Sequence, residues 1–245
     1  MRYPSMIIFD YGHTLLYEPD YDPLRGERAL FEHIKSNPNG YTAEQVNDFA
    51  QRIYEEIAPA RNLGFQLHEW QFQRFVYEYL GIELSISQSE AENIFWDAMT
   101  PGALMPGADK MLDYLNAEGI RTGVISNIAF SGDALRRRLD RLLPNNRFEF
   151  VITSSEYMFI KPSRLIFELA LQKAQLSADD VWYCGDNPAA DVEGAASVGI
   201  FPVWYDCDID CWYRDRENEP SPTCGHLHIR EWDELIGALD SCNVE

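Results

Sequence analysis

The chain has 245 residues and a mass of 28.2 kDa, which is long enough for one or two domains with a sizeable core. Hydrophobic residues make up 46% and charged residues 24%, so neither extended disorder nor a fibrous repeat is indicated. The 40 acidic residues against 20 Lys and Arg give a formal net charge of −20, which repels phosphate backbones and anionic lipid. We therefore expect neither nucleic acid nor a membrane as a partner.

The apolar runs in the sequence are too short for export or membrane insertion. The first run ends at Asp10, and no later run approaches the ~20 residues that span a bilayer. The five cysteines are too few, and too late in the chain, for a disulfide framework. We expect a cytoplasmic protein with reduced thiols, and we leave its state open between monomer and homodimer.

Short apolar runs alternate with amphipathic segments in most of the chain. The runs typical of buried strands cover residues 5–10, 121–127, 148–154, 181–186, 201–206 and 227–229. The segments with helical periodicity that separate or follow them cover residues 107–118, 132–143, 163–174, 188–198 and 231–239. This alternation predicts an α/β fold with a mostly parallel, doubly wound sheet.

The interval 17–100 has a different pattern, with four amphipathic helices predicted over 23–35, 43–58, 69–80 and 88–99 and no convincing strand. The segment TPGALMPG (100–107) follows, and its proline and glycine residues mark the return to the sheet. We therefore predict an all-helical insertion over 17–100 within an α/β core domain formed by 1–16 and 101–245.

Polar side chains end the predicted strands, and they predict the chemistry of the site. Asp10, Ser126 with Asn127, and Asp186 end three strands, and Lys161 begins the helix after a fourth. Ligands of open α/β sheets bind at this carboxyl edge. Carboxylate oxygens suit a magnesium ion, while a hydroxyl, an amide and an amine suit phosphoryl oxygens.

The segment GDNPAAD (185–191) brings a further carboxylate to the same edge. Asn187 is a favourable N-cap and Pro188 suits the first helical turn, so Asp191 falls about one turn into the helix. Its carboxylate reaches back to the edge because helical Cα–Cβ bonds tilt toward the N-terminus. The alternative is that Asp186 and Asp191 only complement the helix dipole.

With these motifs the chain resembles the haloacid dehalogenase-like (HAD) hydrolases that carry a helical cap of the first type. Four motifs occur in order: a strand running into DYGHTL (10–15), then Ser126, then Lys161–Pro162, and finally Gly185–Asp186 followed by Asp191. The resemblance covers nearly the whole chain. It implies a Rossmann-like core, a helical cap and a Mg²⁺-dependent phosphatase that acts on a small phosphorylated metabolite, either a phosphoric monoester or an acyl phosphate.

The resemblance also implies roles for individual residues. Asp10 is expected to attack phosphorus and form an aspartyl-phosphate, because a carboxylate can act as a nucleophile once a cation offsets the charge of the phosphoryl group. The implied Mg²⁺ ligands are Asp10, the main-chain carbonyl of Gly12, Asp186 and Asp191. The residues implied to hold or brace the phosphoryl group are Ser126, Asn127, Lys161 and Thr14.

The sequence departs from the pattern at Gly12, where phosphatases of this family usually place a second Asp for proton transfer. Loss of a positioned acid or base typically costs ~10²–10⁴ in rate. Four explanations stay open. In the first, His13 acts in place of the missing Asp, and in the second the leaving group is good, as in an acyl or aryl phosphate. In the third, the bond cleaved belongs to a phosphonate or haloacid, and in the fourth the protein binds a ligand or partner with little turnover.

Two of these chemistries are disfavoured by other residues. Members that cleave carbon–halogen bonds replace the Gly–Asp pair, which is intact here as Gly185–Asp186. Members that cleave carbon–phosphorus bonds use a cap lysine, and Lys35 is the one lysine in 17–100. In the same insertion, Arg61 and His68 are our candidates for substrate contacts, with solvated helix-end positions as the alternative.

Overall fold

A computed structural model describes residues 2–209 and 219–242 of the chain. The strands in these residues are β1 (Met6–Phe9), β2 (Leu16–Tyr17), β3 (Ile34–Ser36), β4 (Glu83–Leu84), β5 (Ala103–Leu104), β6 (Arg121–Ser126), β7 (Phe148–Thr153), β8 (Val181–Gly185), β9 (Phe201–Tyr205) and β10 (Leu227–Ile229). The α-helices are α1 (Pro23–Phe31), α2 (Ala43–Ile57), α3 (Glu69–Leu80), α4 (Gln88–Met99), α5 (Ala108–Ala117), α6 (Gly132–Leu142), α7 (Ser154–Tyr157), α8 (Arg164–Ala174), α9 (Gly194–Ala196) and α10 (Trp232–Cys242). None of the described helices is long and apolar enough to cross a membrane.

The central sheet has six parallel strands in the order β10-β9-β8-β1-β6-β7. From β1 the chain extends the sheet through β6 to β7, and then returns to the other side of β1 through β8, β9 and β10. The prediction of a doubly wound parallel sheet is confirmed. Successive strands are added on one side of β1 and then on the other, so the topological switch point lies between β1 and β8. Crevices at such switch points bind ligands in open α/β folds.

Both faces of the sheet are covered, which explains why β1 is a continuous apolar run. Ile7 and Phe9 face one layer, which includes α5, α6 and α10, while Met6 and Ile8 face the other, which includes α8. All four side chains are fully buried. Burial of each such side chain contributes about 1.5–3 kcal/mol, so β1 is held rigidly at the centre of the sheet.

The insertion after β2 is built mainly from α1 to α4, as predicted. Helix α4 begins with a capping box between Ser87 and Glu90, and α3 ends at Gly81 in the left-handed conformation, with φ of 70°. The expectation of no strand in this interval was wrong, because β3 and β4 pair antiparallel, with Ile34 opposite Leu84. Helix α1 accordingly ends before the predicted residue 35.

The chain leaves and re-enters the core through two neighbouring strands. Strands β2 and β5 pair antiparallel, with Leu16 opposite Leu104, and Met105 N donates to Leu15 O at 3.1 Å. The Thr100 hydroxyl donates to Pro19 O at 3.0 Å across the same crossing. The predicted domain limits at 16/17 and 100/101 lie beside this crossing and stay a prediction.

Arg138 of α6 joins the insertion to the core at a second place. Its guanidinium lies over the Trp96 ring at 3.7 Å from the centroid, and Nη2 donates to Trp96 O at 3.0 Å and Thr100 O at 2.9 Å. The side chain is fully buried. Such a cation–π contact in a desolvated position is worth about 2 kcal/mol, so α4 is fixed against α6.

Candidate active site

Three carboxylates meet at the switch point of the sheet. Asp10 follows β1, and its backbone N–H continues the ladder by donating to Cys184 O at 2.9 Å. Asp186 follows β8, and Asp191 lies in the π-helical turn Pro188–Glu193. Carboxylate oxygens of the three residues lie within 4.8 Å of one another, and all three side chains are buried. The predicted convergence of Asp10 and Asp186 is therefore what the structure has.

Asp191 is held by donors on both of its oxygens. Oδ2 accepts from Asn187 N at 2.9 Å, and Oδ1 accepts from Lys161 Nζ at 2.6 Å. Asn187 itself caps the turn by accepting from Ala190 N at 2.8 Å. A Cβ on Gly185 would lie 2.4 Å from Asp191 Cγ, so only glycine permits this approach.

Lys161 is the ammonium at the centre of the cluster. Its Nζ donates to Asp10 Oδ1 at 2.6 Å, to Asp191 Oδ1 at 2.6 Å and to the Tyr183 hydroxyl at 2.8 Å. Asn127 fixes its backbone, because Oδ1 accepts from Lys161 N at 2.7 Å and Nδ2 donates to Lys161 O at 3.0 Å. The amide of Asn127 therefore positions Lys161.

Tyr183 is a site residue that sequence reasoning missed. It lies in the middle of β8, where its ring packs against Phe167 and its hydroxyl reaches Lys161. The available signal was a hydroxyl-bearing residue in an otherwise apolar strand, because a buried tyrosine hydroxyl needs a partner.

Burial and charge set the protonation of the central pair. Burial raises the pKa of Asp10 to about 6, with Lys161 acting to lower it and Asp191 to raise it. Burial lowers the pKa of Lys161, but the carboxylates of Asp10 and Asp191 outweigh that effect, so the net shift is upward. At neutral pH the amine is therefore an ammonium and Asp10 is mostly ionised.

The donor set of this cluster fits a divalent cation. Asp10, Asp186 and Asp191 offer hard carboxylate oxygens close to one another, which is what Mg²⁺ and Ca²⁺ prefer. The Asp191 oxygens both accept hydrogen bonds from the protein. We therefore expect Asp191 to orient the cluster and Asp10 and Asp186 to offer the ion their oxygens.

The segment after Asp10 is a turn and not a continuation of β1. His13 is buried in the left-handed region, with φ of 53°, and its N–H donates to Leu16 O at 2.7 Å. Because the segment is not extended, the alternation of side chains along a strand does not decide where the His13 ring points. The ring centroid lies 6.4 Å from that of Tyr17. Gly12 is partly buried and offers no group for proton transfer.

The two remaining predicted residues of the strand edge, Ser126 and Thr14, are both buried. Ser126 is buried at the end of β6, opposite Thr153. Thr14 is fully buried, and its Oγ1 has no hydrogen-bond partner in the described part of the chain. Both positions are compatible with the predicted roles, which stay predictions.

Of the two candidate substrate contacts in the insertion, Arg61 and His68, the structure describes the side chain of His68. His68 is the N-cap of α3, where Nδ1 accepts from Trp70 N at 3.1 Å, so it lies at a helix end but is half-buried, and its contact with substrate stays a prediction. It also lines the cavity beneath the insertion. The side chain of Arg61 lies outside the described residues.

The insertion closes on the core beside the acidic cluster. Gln66 N donates to Met158 O at 2.8 Å, Ile160 N to Gly64 O at 3.1 Å, and Glu69 N to Ala129 O at 2.8 Å. These bonds leave a cavity of about 610 Å³ between the insertion helices and the loop after β6, which is a typical volume for a small-molecule site.

Comparisons with known proteins identify a matching family and relatives of similar length. A sequence model described as haloacid dehalogenase-like hydrolase matches residues 5–199. A ribulose-1,5-bisphosphate 5-phosphatase of Halopiger xanaduensis is 24% identical over 209 residues, 82% of this chain and 84% of that relative. A pyrimidine 5'-nucleotidase of Escherichia coli is 24% identical over 235 residues, 94% and 96% of the two chains.

A solved structure shares the fold over its whole length. The HAD-hydrolase YfnB of Bacillus subtilis, crystallised with bound magnesium, is 21% identical, with a TM-score of 0.58. The match covers 98% of this chain and 100% of that chain. At this identity the likeness shows the fold alone.

Proposed function

The chain belongs to the haloacid dehalogenase-like hydrolase family, and on that premise we propose that it is a Mg²⁺-dependent phosphatase of a small phosphorylated metabolite. The observation that carries the proposal is the convergence of Asp10, Asp186 and Asp191 around Lys161 at the switch point of the sheet. The two curated relatives, a bisphosphate phosphatase and a nucleotidase, support a small phosphorylated substrate.

In the proposed reaction Asp10 is the nucleophile. One carboxylate oxygen forms a bond to phosphorus while the bond from phosphorus to the leaving oxygen breaks, which gives an aspartyl-phosphate and the free leaving group. Water then attacks phosphorus, releases inorganic phosphate and restores Asp10. Lys161 holds one oxygen of Asp10 at 2.6 Å and so fixes the carboxylate for attack.

Asp10, the carbonyl of Gly12 and Asp186 would hold the Mg²⁺ ion, with Asp191 orienting the cluster. When bound, the ion offsets the negative charge of carboxylate and phosphoryl group as they approach. Ser126 would donate to the phosphoryl oxygens, where charge is spread in the transition state. The Lys161 ammonium, whose three N–H groups are taken by Asp10, Asp191 and Tyr183, would stabilise that charge through its own positive charge.

Gly12 sets the kind of leaving group in this proposal. Because no side chain at this position protonates the leaving oxygen, that oxygen must depart largely as an anion. We therefore propose that the substrate is an acyl or aryl phosphate, or another ester with an acidic leaving group.

A panel of aryl, acyl and alkyl phosphates, assayed with Mg²⁺ and with EDTA, tests the proposal. We expect Mg²⁺-dependent release of phosphate from aryl and acyl phosphates and little from alkyl phosphates. Gly12→Asp should raise alkyl phosphate hydrolysis by up to ~10²–10⁴-fold, because it adds a proton donor. The matched control is Gly12→Asn, which has the same size but transfers no proton. Failure of every compound to react contradicts the proposal.

Gly12 also favours a second candidate function, in which the site binds a phosphorylated ligand or partner with little turnover. The two functions differ in whether Asp10 becomes phosphorylated. Acid quenching after mixing with a ³²P-labelled aryl or acyl phosphate should trap label on Asp10 if the protein is a phosphatase. Ligand binding without any trapped label favours the binding protein.

A further inference from the structure

The cavity beneath the insertion has an unusual charge. Four acidic side chains line it, and among the described side chains no lysine or arginine does. These acidic residues are Glu18, Glu27, Glu55 and Glu69. Glu18 is paired with Arg138 Nη1 at 3.3 Å, which leaves Glu27, Glu55 and Glu69 without a cation among the described side chains. When ionised, these carboxylates attract cations and repel anions in the organic part of a ligand.

Glu27 of α1 is the most buried of the four carboxyl groups that line the cavity. It is 5% exposed, and its Oε2 accepts from the Tyr77 hydroxyl at 2.6 Å. Its other oxygen accepts no hydrogen bond from any described residue and has no cation beside it. A buried carboxylate with an open oxygen is costly unless a donor or a cation reaches it.

Asn47 of α2 is a second polar side chain of the cavity that is not paired within the described part of the chain. The residue is 8% exposed and lines the same cavity, and its side-chain amide forms no hydrogen bond with another described residue. Neither amide atom is among the fully buried polar atoms that lack a partner, so the amide is open to the cavity. The amide therefore offers a donor and an acceptor to a molecule in the cavity.

Aromatic side chains supply much of the remaining lining, beside polar residues that include Gln51, Gln66 and Gln73. The lining includes the aromatic side chains Tyr21, Tyr54, Phe65, Phe72, Phe95 and Phe130. Such surfaces bury planar groups well and attract cations to their faces. At the core side the lining reaches Asn127, which holds the backbone of Lys161, so the cavity adjoins the phosphoryl end of the site.

Resting on the proposed function, we propose that this cavity holds the leaving group of the substrate, and that this group is planar and carries an amine or N–H donor. The amine or N–H would meet the open oxygen of Glu27 and the amide of Asn47, while aromatic side chains cover the plane. A second phosphate or a carboxylate on the substrate would face Glu27 and Glu69 and be rejected. Burial raises the pKa of Glu27 to about 7 and of Glu69 to about 8, in agreement with carboxyls that lack a cation.

Three phenyl phosphates that differ only at the para position test this charge preference. The para groups are aminomethyl, hydroxymethyl and carboxylate, and the assay uses Mg²⁺ and mildly alkaline pH, where Glu27 is ionised. We expect kcat/KM to fall in that order, with at least a tenfold difference, about 1.4 kcal/mol, between the ends. Equal rates, or a preference for the carboxylate, would overturn the inference while leaving the proposed phosphatase intact.

Glu27→Gln is the variant that locates the preference, because it keeps the shape and removes the charge. We expect a higher KM for the aminomethyl compound. The ratio of kcat/KM for the aminomethyl compound to kcat/KM for the carboxylate compound should fall about threefold or more. The control is Glu56→Gln, an exposed residue of α2 outside the cavity, which should leave the ratio unchanged. An unchanged ratio in Glu27→Gln contradicts the assignment.

Calorimetric binding to the wild-type protein separates this inference from the proposed function and requires neither turnover nor a variant. The probes are the two phenols, 4-(aminomethyl)phenol and 4-hydroxybenzoate. Tighter binding of the amine supports the cavity assignment even if no phosphate is hydrolysed. Failure of the amine to bind, or tighter binding of the carboxylate, overturns it even if phosphatase activity is found.

Discussion

The strand-edge cluster and the cavity beneath the insertion are both buried and acidic, but they differ in how their charges are paired. Lys161 lies 2.6 Å from both Asp10 and Asp191, and the Asn187 N–H donates to the second oxygen of Asp191. In the cavity Glu27 has one hydroxyl partner and Asn47 has none. The cluster is thus organised before any substrate binds, whereas the cavity presents polar groups that a ligand can bind.

Asp10→Asn should break the strand-edge cluster most severely, because it removes the proposed nucleophile. We expect the hydrolysis of every substrate to fall by roughly 10⁴-fold or more, as removal of a nucleophile typically does. Phosphate release under single-turnover conditions measures the effect. Asp109→Asn, an exposed acid on α5, is the matched control and should keep full activity. Retention of activity in Asp10→Asn would exclude the aspartyl-phosphate route.

Lys161→Met tests whether the cluster depends on its ammonium. The change leaves the buried carboxylates of Asp10 and Asp191 without their cation, and we expect the free energy of unfolding to fall by about 3–5 kcal/mol at neutral pH. Urea denaturation measures the loss. Arg164→Met removes an exposed ion pair with Glu168 and should cost about 1 kcal/mol or less. Similar losses of unfolding free energy in the two variants would show that the buried carboxylates do not depend on the Lys161 ammonium.

The pH dependence of stability tests the cavity, because the Glu27 carboxyl should add to the dependence that Asp10, with a pKa raised to about 6, gives the cluster. Because burial raises the pKa of Glu27 from 4.5 to about 7, the folded state keeps a proton that the unfolded state releases. The stability that this proton provides is present below about pH 4.5 and is lost as the pH rises through about 7, a change of about 3 kcal/mol.

Glu27→Gln should therefore flatten the curve of unfolding free energy against pH in this window, and Glu56→Gln should not. Denaturant midpoints measured across the window provide the comparison. Identical slopes in wild type and Glu27→Gln would show that the carboxyl of Glu27 is not desolvated in the folded protein.

Gly185→Ala should have the smallest of these effects, since it disturbs the cluster through a single methyl group. Its Cβ would lie 2.4 Å from Asp191 Cγ, so we expect a loss of about 1–3 kcal/mol from overpacking and a weaker affinity for Mg²⁺. Gly237→Ala, in α10 with nothing within 4 Å, should instead gain up to about 1 kcal/mol. Thermal unfolding with and without Mg²⁺ measures both changes.

The cluster was easier to predict from the sequence than the cavity, for a physical reason. Parallel strands end at one edge, so Asp10 and Asp186 could be placed together before their neighbours were known. Helix limits such as those of α3 and α4 follow from local signals, including Ser87 with Glu90 and the glycine at position 81. These features depend on residues close in sequence or on the general geometry of the sheet.

Other features depend on which faces pack together, and the sequence does not contain that information locally. Glu27, Asn47 and Tyr77 come from three different helices, and their convergence requires the packing of all three. Tyr183 becomes a partner of Lys161 only because its side of β8 faces that residue. Strand β3 is three residues long, too short to show a period of two.

The paired crossing strands β2 and β5 bear on how this chain can change over evolution. Leu16 and Leu104 are partners across one ladder, so the chain ends left by deleting the intervening residues would lie side by side. A turn of about two residues would join them, since such turns connect antiparallel neighbours. Replacement of the whole intervening segment by one of another length therefore leaves the register of β1 with β6 untouched, and substrate choice can diversify while the phosphoryl chemistry is inherited unaltered.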